Sequence, residues 1–279
     1  MRILDIINKT VPFFEKSGIE SPRLSIELLL AHVLKKKRLQ LYLEFEREVA
    51  ESTLEVLRGL VKRRVAGEPL QYITGEAEFC GLKLAVDRRV LIPRPETEIL
   101  VEIVAARQPA TVVDVGTGSG CIALALAHRL PNAEVIATDL SSDALAVAQA
   151  NAARYPCKNF TRFLQGELLC ALPDSFTADA IVSNPPYIAS GELAQLPREV
   201  KDFEPEQALV AGADGLDVIR RLVLAAKRFL SPTGFVALEI GAGQCPAVAE
   251  LFVRAGYQVA QVEKDLQGID RVVVAQLQS

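Results

Sequence analysis

The segment Asp114–Gly120 reads DVGTGSG and joins an apolar run, Thr111–Val115, to a predicted helix, Ile122–Leu130. Its three glycines permit a tight turn and a close approach of the backbone to a ligand beside the N-terminus of the helix. A strand, a glycine-rich turn and a helix in this order are typical of the first unit of a doubly wound sheet. The segment therefore predicts an α/β domain of the Rossmann-like type.

Strands and helices alternate downstream of this segment. The predicted strands are Ala133–Thr138, Thr161–Gln165, Ala178–Ser183, Gly234–Ile240, Val259–Glu263 and Arg271–Gln276. The predicted helices are Asp143–Arg154, Leu216–Leu230 and Ala247–Ala255. Ser141 stands where it can cap the first of these helices. Repeated strand–helix units predict a mainly parallel sheet with helices on both faces, and the last two strands are close enough in the chain to pair.

The first part of the chain has the pattern of a small helical bundle. Apolar residues in Ile3–Val11 recur with helical spacing, and Ser21 followed by Pro22 is typical of a helix start. A third helical stretch, Leu54–Arg64, ends before Gly67, a residue type that commonly terminates helices. Residues 1–75 are therefore predicted to form a separate helical domain.

The pattern changes to that of a β-hairpin directly after this bundle. Two short runs, Phe79–Leu82 and Leu84–Asp87, have the composition of paired strands. We therefore predict a hairpin linker at residues 76–92. The α/β domain is then predicted to occupy residues 93–279.

The composition is that of an ordinary globular protein, since 50% of the 279 residues are hydrophobic and 24% are charged. No run approaches the roughly 18 apolar residues that a membrane span needs, and the N-terminus lacks the features of a signal peptide. The five cysteines are scattered, without the spacing of a metal site or of a disulfide framework. We therefore expect a cytoplasmic protein with reduced thiols and without a metal.

The net charge of −4 divides unevenly, with +3 on residues 1–75 and −7 on residues 76–279. Proteins that grip a duplex through its phosphates usually carry a strongly basic surface on the working domain. The acidic balance of the larger domain therefore argues against DNA as the main substrate. The basic runs Lys35–Arg38 and Lys62–Arg64 are predicted to be solvated helix ends, where cations are favoured.

A carboxylate follows the second strand of the α/β domain. Asp139 can accept hydrogen bonds from both ribose hydroxyls of a nucleoside bound at the glycine turn. The turn itself has glycines at 116, 118 and 120, whereas a pyrophosphate-binding fingerprint would require its third glycine at Cys121. This spacing favours a nucleoside ligand without a pyrophosphate, such as S-adenosylmethionine, over NAD.

A rigid loop, Asn184-Pro185-Pro186-Tyr187, follows the strand Ala178–Ser183, at the edge where open α/β sheets bind ligands. The two prolines fix two φ angles and lack N–H groups, so the loop presents carbonyl acceptors. Asn184 adds a side-chain carbonyl and Tyr187 an aromatic ring. The set suits a planar NH2 group, whose two hydrogens would meet two acceptors while a ring covers its face.

These two motifs together resemble the S-adenosylmethionine-dependent amino-methyltransferases, which methylate planar NH2 groups. Three further segments narrow the resemblance: Ile92–Glu98 (IPRPETE), Phe203–Leu209 (FEPEQAL) followed by Asp214–Leu216, and Gly268–Val273 (GIDRVV). With them, nearly the full length of the chain is similar to the release factor glutamine methyltransferases, the PrmC/HemK family of protein-(glutamine-N5) methyltransferases.

The resemblance implies a seven-stranded class I methyltransferase sheet with its last strand antiparallel, preceded by a helical domain that docks the substrate. The cofactor-binding residues that it implies are Gly116, Thr117, Gly118, Ser119, Gly120, Asp139, Leu168 and Asn184. Family members often place a Trp beside the adenine, where this chain has Leu168 and has no Trp at all. An apolar rather than aromatic contact to the adenine is therefore expected.

The implied substrate is the glutamine of the Gly-Gly-Gln motif in class I peptide chain release factors, and the implied process is translation termination. Asn184, Pro185, Pro186 and Tyr187 would bind this glutamine, and Asn184, Pro185 and Tyr187 would be catalytic. Asn184 Oδ1 and the Pro185 carbonyl would accept the two amide hydrogens, and Tyr187 would cover the amide plane. We expect a monomer that binds neither nucleic acid nor membrane directly.

Three other functions use part of the same motifs. An adenine-N6 nucleic-acid methyltransferase has the same Asn-Pro-Pro-Tyr loop, but it must flip its base and needs a basic, aromatic recognition surface. An NAD-dependent oxidoreductase has no evident use for the loop at Asn184. A binding module without catalysis would not need the complete set of chemical groups that the chain carries.

Overall fold

The computed structural model describes residues 1–157 and 159–278 of the chain. The chain folds into two compact units. One unit comprises Met1–Gly75 together with Pro197–Phe203, and the other comprises Glu76–Leu196 together with Glu204–Ser279. The helices are α1 Ile3–Lys16, α2 Pro22–Leu34, α3 Arg38–Leu43, α4 Glu51–Val65, α5 Leu70–Thr74, α6 Thr97–Ala106, α7 Cys121–Arg129, α8 Ser142–Arg154, α9 Arg198–Lys201, α10 Asp217–Ala226 and α11 Cys245–Arg254. The strands are β1 Glu76–Phe79, β2 Leu82–Ala85, β3 Thr111–Val115, β4 Glu134–Asp139, β5 Phe160–Gln165, β6 Ala178–Ser183, β7 Leu230–Glu239, β8 Tyr257–Lys264 and β9 Asp270–Leu277. None of the helices in the described residues is long and apolar enough to cross a membrane.

Helices α1, α2 and α4 enclose the apolar core of the first unit. The fully buried side chains of this core include Ile3, Ile7, Phe14, Ile26, Leu29, Leu30 and Leu41. Helix α2 begins at Pro22 directly after Ser21, as the sequence predicts, because proline suits the first helical position. The helical character predicted for this part of the chain is therefore confirmed.

Charged side chains are buried in the first unit, among them Glu27 and Arg64. Glu27 accepts hydrogen bonds from Arg38 Nε (2.8 Å), Tyr42 Oη (2.8 Å) and Arg23 Nε (2.9 Å), so its buried carboxylate is fully paired. Arg64 is also buried and pairs with Glu199 of α9 at 2.6 Å. The prediction that the run Lys62–Arg64 is solvated is thus wrong for Arg64, which is buried and pairs with a half-buried acidic side chain from a distant segment.

The second unit is built on a seven-stranded sheet in the order β5-β4-β3-β6-β7-β9-β8. All neighbouring strands are parallel except β9, which runs antiparallel to both β7 and β8. Strands β3, β4 and β6 are apolar and buried along most of their lengths, as expected of parallel strands covered on both faces. This topology confirms the predicted Rossmann-like methyltransferase sheet, preceded in the chain by a helical region.

The hairpin packs as part of this second unit. Asn151 of α8 accepts a hydrogen bond from Ala85 N (2.7 Å) and donates one to Ala85 O (3.0 Å), which fixes β2 against the helix. The tight turn lies at Cys80 and Gly81, where φ is +48° and +78°. The strand Phe79–Leu82 that we predicted therefore contains the turn itself, because two consecutive left-handed residues make a two-residue hairpin turn.

Two further differences concern helices. Helix α10 ends at Ala226 and Leu230 begins β7, so the predicted helix Leu216–Leu230 is too long at its C-terminus. Periodicity alone extended it, because Phe229 and Leu230 are apolar residues that the sheet buries. Helix α6 was not predicted, although its residues Leu100, Val101 and Val104 are fully buried.

Candidate active site

The glycine turn between β3 and α7 is anchored on the neighbouring strand. Gly116, Gly118 and Gly120 have φ angles of +72°, +56° and +82°, a backbone conformation that residues other than glycine rarely adopt. The N–H groups of Gly116 and Thr117 both donate to Thr138 O, at 2.9 and 3.0 Å. The turn is therefore a fixed, glycine-lined surface next to the N-terminus of α7.

Asp139, the last residue of β4, joins the glycine turn to the start of α8. Its Oδ2 accepts from Gly118 N at 2.8 Å and its Oδ1 accepts from Ser141 N at 2.9 Å. Burial raises the pKa of Asp139, and the N–H groups of Ser141 and Gly118 partly oppose that shift. The carboxylate is held in one orientation and keeps free lone pairs for the hydroxyl groups of a ligand.

A cavity of ≈ 180 Å³ lies at the carboxyl ends of the parallel strands. It brings together seven of the residues that the sequence predicts for the site: Gly116, Gly118, Asp139, Leu168, Asn184, Pro185 and Pro186. A mainly apolar cleft with a few oriented polar groups is the usual form of a cofactor site. The cofactor and substrate residues predicted from separate motifs thus share one cavity.

Three predicted cofactor residues, Thr117, Ser119 and Gly120, do not line the cavity. Thr117 and Ser119 are buried, and Thr117 Oγ1 donates to Asp114 Oδ2 at 2.6 Å. A Cβ atom at Gly120 would lie 3.2 Å from Ala148 Cβ, so this glycine permits the close packing of α7 against α8. All three residues thus support the turn on its side away from the cavity. Their direct contact to a cofactor stays a prediction.

Asp114 is a residue that the sequence analysis did not single out. It is fully buried behind the glycine turn, and burial raises its pKa to about 7. Its Oδ2 accepts from Thr117 Oγ1 and from Ala123 N, whereas its Oδ1 has no hydrogen-bond partner among the described residues. An orphaned carboxylate oxygen is costly in a protein interior and fits a ligand with a hydrogen-bond donor or a positive charge. Asp114 is the first residue of the glycine motif, and this position was the signal in the sequence that could have identified it.

Leu168 lines the cavity in an unusual backbone conformation. Its φ of +52° is left-handed, a conformation that costs energy for a residue with a side chain. Thr138 Oγ1 donates to Leu168 O at 2.9 Å and holds it there. The side chain gives the cavity wall an aliphatic surface, and its predicted contact to an adenine stays a prediction.

The loop Asn184–Tyr187 follows β6 and is tied to β3. Ser183 Oγ donates to Val115 O at 2.6 Å in a buried position. Asn184 Nδ2 donates to Thr97 Oγ1 at 3.1 Å, and Thr97 Oγ1 donates to Glu239 Oε2 at 2.6 Å. The amide nitrogen of Asn184 is therefore engaged on the side of α6, and its Oδ1 accepts no hydrogen bond from the residues that the structure describes.

Tyr187 is mostly buried and does not line the cavity. Its hydroxyl group donates to Glu239 Oε1 at 3.5 Å, and its backbone carbonyl accepts from Gln244 Nε2 at 2.9 Å. Burial raises the pKa of Tyr187 to about 12, with a further contribution from the charge of Glu239. The predicted role of this ring as a cover for the substrate amide stays a prediction.

The rim of the cavity carries charges of both signs. Arg89 pairs with Asp87 at 2.6 Å, and Arg221 pairs with Glu167. Arg89, Arg221 and Glu167 line the cavity together with Gln207. Each of these two arginines is paired with a carboxylate, an arrangement unlike the continuous positive surface with which proteins follow a phosphate backbone.

The sequence is similar to known proteins over nearly its whole length. The family model described as "PrmC N-terminal domain" matches residues 5–75, and the one described as "Methyltransferase small domain" matches residues 95–198. A release factor glutamine methyltransferase from Geobacter sulfurreducens is 43% identical over 273 residues, which cover 97% of this chain and 95% of the relative. A release factor glutamine methyltransferase from Moorella thermoacetica is 42% identical over 280 residues, with 99% and 98% covered.

The fold is also found among solved structures. A methyltransferase from Pyrococcus furiosus superposes with a TM-score of 0.54 at 19% identity, covering 80% of this chain and 98% of that chain. At this identity the likeness shows the fold alone. It agrees with the seven-stranded sheet described above.

Proposed function

This chain belongs to the family of release factor glutamine methyltransferases, and from that premise we propose that it methylates the side-chain amide nitrogen (N5) of the glutamine in the Gly-Gly-Gln motif of class I release factors. The observation that carries the proposal is the orientation of Asn184. Its Nδ2 is engaged by Thr97, so its Oδ1 is available to a substrate NH2 group beside the Pro185 carbonyl. By this modification the enzyme would support translation termination.

The cofactor is S-adenosylmethionine, which supplies a methyl group on a positively charged sulfonium when it is bound. We propose that Gly116–Gly120 and Asp114 hold its amino-acid end, that Asp139 accepts the ribose hydroxyls and that Leu168 packs on the adenine. The orphaned Asp114 Oδ1 supports this assignment, because an ammonium group would satisfy it.

The chemical task of this chain's own residues is to position a poor nucleophile, since the lone pair of an amide nitrogen is delocalised. Asn184 Oδ1 and the Pro185 carbonyl would accept the two amide hydrogens and fix the nitrogen in line with the departing sulfur. Positioning of this kind can supply up to roughly 7–11 kcal/mol of the barrier reduction.

Proton removal needs no strong base in this scheme. The amide proton becomes strongly acidic once methyl transfer has begun, so a dedicated base is unnecessary and water can take the proton as the product leaves. Neither His32 nor His128 lines the cavity, and His128 Nδ1 instead lies 3.0 Å from Leu124 O in its own helix. Pro186 keeps the loop stiff, and Tyr187 would exclude water from the amide.

Family membership favours this function over an adenine-N6 nucleic-acid methyltransferase with the same loop. The paired charges on the cavity rim also support a protein substrate, because they offer no phosphate track. An NAD-dependent oxidoreductase is disfavoured by the same membership.

We propose that residues 1–75 form the substrate-docking domain, residues 76–92 the connecting hairpin and residues 93–279 the methyltransferase domain. The opposite charge balance of the first part, +3 against −7, supports a separate role in binding. The enzyme would act as a monomer in the cytoplasm, where release factors work, without direct contact to nucleic acid.

The deciding experiment offers two substrates with labelled S-adenosylmethionine: a class I release factor and adenine-rich DNA. We expect label on the release factor, located by mass spectrometry on the Gly-Gly-Gln glutamine. A release factor whose Gly-Gly-Gln glutamine is replaced by Ala is the matched control and should take up no label. Label on DNA alone, or on another side chain, would overturn the proposal.

A further inference from the structure

Three buried or half-buried side chains from distant parts of the chain form a line of hydrogen bonds behind the catalytic loop. Asn184 follows β6, Thr97 is the first residue of α6, and Glu239 is the last residue of β7. The first bond joins Asn184 Nδ2 to Thr97 Oγ1 at 3.1 Å, and the second joins Thr97 Oγ1 to Glu239 Oε2 at 2.6 Å. Thr97 and Glu239 are themselves buried, and neither lines the cavity.

The direction of these bonds determines which end of the Asn184 amide faces Thr97. The Thr97 hydroxyl donates its single proton to Glu239 Oε2 at 2.6 Å, and an ionised Glu239 carboxylate can only accept hydrogen bonds. What the hydroxyl then offers to Asn184 is an acceptor lone pair. Asn184 has to present its NH2 group to that lone pair, and its Oδ1 points the other way.

This orientation matters because the two ends of an asparagine amide are nearly equal in shape and opposite in hydrogen bonding. With Oδ1 free, Asn184 accepts a hydrogen from a substrate NH2 group. With the amide turned by 180° about its last bond, two NH2 groups would face each other and repel.

We propose that Thr97 and Glu239 are positioning residues that lock the Asn184 amide with its Oδ1 toward the acceptor nitrogen of the substrate. The inference rests on the proposed function of Asn184 and names the residues that make this function possible. Tyr187 extends the arrangement, because its hydroxyl donates to the other carboxylate oxygen, Glu239 Oε1, at 3.5 Å. Glu239 thereby connects the side chains at both ends of the catalytic loop.

Substitutions of Thr97 separate the hydroxyl group from the packing of the side chain. Thr97→Val keeps the branched shape and removes the hydroxyl, whereas Thr97→Ser keeps the hydroxyl and removes one methyl group. We expect Thr97→Val to lower the single-turnover methyl-transfer rate at saturating S-adenosylmethionine at least tenfold, with little change in the dissociation constant of the cofactor. Thr97→Ser should recover most of that loss.

Two outcomes would overturn the inference. One is a Thr97→Val rate within twofold of the unaltered enzyme. The other is an equal loss in both variants, which would assign Thr97 a packing role. The unaltered enzyme is the reference in each case, so failure of the proposed substrate would be recognised by the lack of methyl transfer in the reference itself.

A second measurement does not depend on activity. In isotope-labelled full-length protein, the side-chain amide protons of Asn184 give a pair of NMR signals that Asn184→Asp removes and thereby assigns. We expect one of these protons to exchange with water slowly in the unaltered chain and in Thr97→Ser, and rapidly in Thr97→Val. Identical exchange in all three proteins would contradict the lock even if the activities differ.

Discussion

The backbone of Gly215 lies against the carbonyl group of Tyr187, so closely that a Cβ atom at position 215 would be 2.2 Å from that oxygen. Gly215 also has a φ of +76°, which a residue with a side chain rarely adopts. The same carbonyl accepts a hydrogen bond from Gln244 Nε2 at 2.9 Å. The loop Asn184–Tyr187 is therefore held in place by two segments that follow it in the chain.

Gly215→Ala should displace Tyr187 and the loop that precedes it. Both the left-handed φ and the collision with a carbonyl oxygen oppose a side chain here, so we expect a lower thermal midpoint and a methyl-transfer rate reduced at least tenfold. Gly59→Ala is the matched control, because Gly59 lies inside α4 with open space around it. Alanine there should stabilise the chain by about 0.5–1 kcal/mol. Equal midpoints for the two variants would refute the close packing at Gly215.

Asn184→Ala tests the proposed acceptor directly. The rate of methyl transfer in single turnovers should fall at least a hundredfold, which corresponds to about 2.7 kcal/mol. The dissociation constant of S-adenosylmethionine should change little, because the glycine turn and Asp139 are untouched. A near-normal rate with saturating cofactor would show that Asn184 does not hold the substrate amide.

Asn184→Asp is a sharper form of the same test. It keeps an acceptor of similar shape but adds a negative charge near the sulfonium. That charge stabilises the positively charged ground state more than the charge-dispersed transition state, so we expect reduced but measurable activity. Activity as low as that of Asn184→Ala would mean that the shape of the acceptor contributes nothing.

Asp139→Asn should weaken the binding of S-adenosylmethionine. The variant keeps the size of the side chain but loses charged acceptors, and a hydrogen bond to a charged group is worth roughly 1.5–3 kcal/mol. Calorimetry should therefore give a dissociation constant higher by about tenfold or more. Glu134→Gln, at the other end of β4, is the control and should leave the constant unchanged. An unchanged constant for Asp139→Asn would place the ribose elsewhere.

Two buried carboxyl groups predict how stability depends on pH. Burial raises the pKa of Asp114 and of Glu239 to about 7. For Glu239, hydrogen bonds from the Thr97 and Tyr187 hydroxyls and the charge of Arg271 lower the pKa, and the charge of Glu96 raises it. The folded chain thus keeps both protons at pH values where the unfolded chain has lost them. The free energy of unfolding should therefore fall as pH rises from about 4 to 7, by at most about 1.4 kcal/mol per pH unit and group.

Asp114→Asn isolates one of these contributions. The variant has no proton to lose, so its free energy of unfolding should decline less steeply than that of the unaltered chain over the same range. Urea unfolding at several pH values measures both slopes. Parallel curves for Asp114→Asn and the unaltered chain would mean that Asp114 titrates normally.

Removal of residues 1–75 tests the proposed docking domain. We expect the shortened chain to bind S-adenosylmethionine but to methylate an intact release factor with a much lower kcat/KM. A short Gly-Gly-Gln peptide is the control substrate, because it is too small to use a separate docking surface. An unchanged kcat/KM for the intact factor would assign the helical unit another purpose.

Sequence patterns predicted the parts of the site that are local in the chain. The turn Asp114–Gly120, the acid Asp139 and the loop at Asn184 each follow a strand, and parallel strands bring their carboxyl ends to one edge. Position within a motif did not reveal which of these residues reach the cavity. The cavity is lined by Gly116 and Gly118. Their neighbours in the turn, Thr117, Ser119 and Gly120, are buried in the protein interior instead.

The residues that were missed act over long distances in the sequence. Thr97 and Glu239 are separated by 142 positions and meet only because α6 packs beside the end of β7. No local pattern marks such a contact, and a single buried Thr or Glu is uninformative by itself. Arg64 was misjudged for the same reason, since its partner Glu199 lies far along the chain.

The hydrogen bond from Ser183 Oγ to Val115 O joins the ends of β6 and β3, two neighbouring parallel strands. The glycine turn and the loop Asn184–Tyr187 thus begin one inter-strand spacing apart, roughly 4.8 Å, and this spacing does not depend on side chains at the rim. New acceptor molecules could accordingly be selected by changing rim positions such as Arg89, Gln207 and Arg221, while the reacting atoms keep their distance. The carboxyl ends of β3 and β6 could then be kept unchanged for different acceptors. Laboratory evolution of altered specificity should begin at the rim and leave these strand ends untouched.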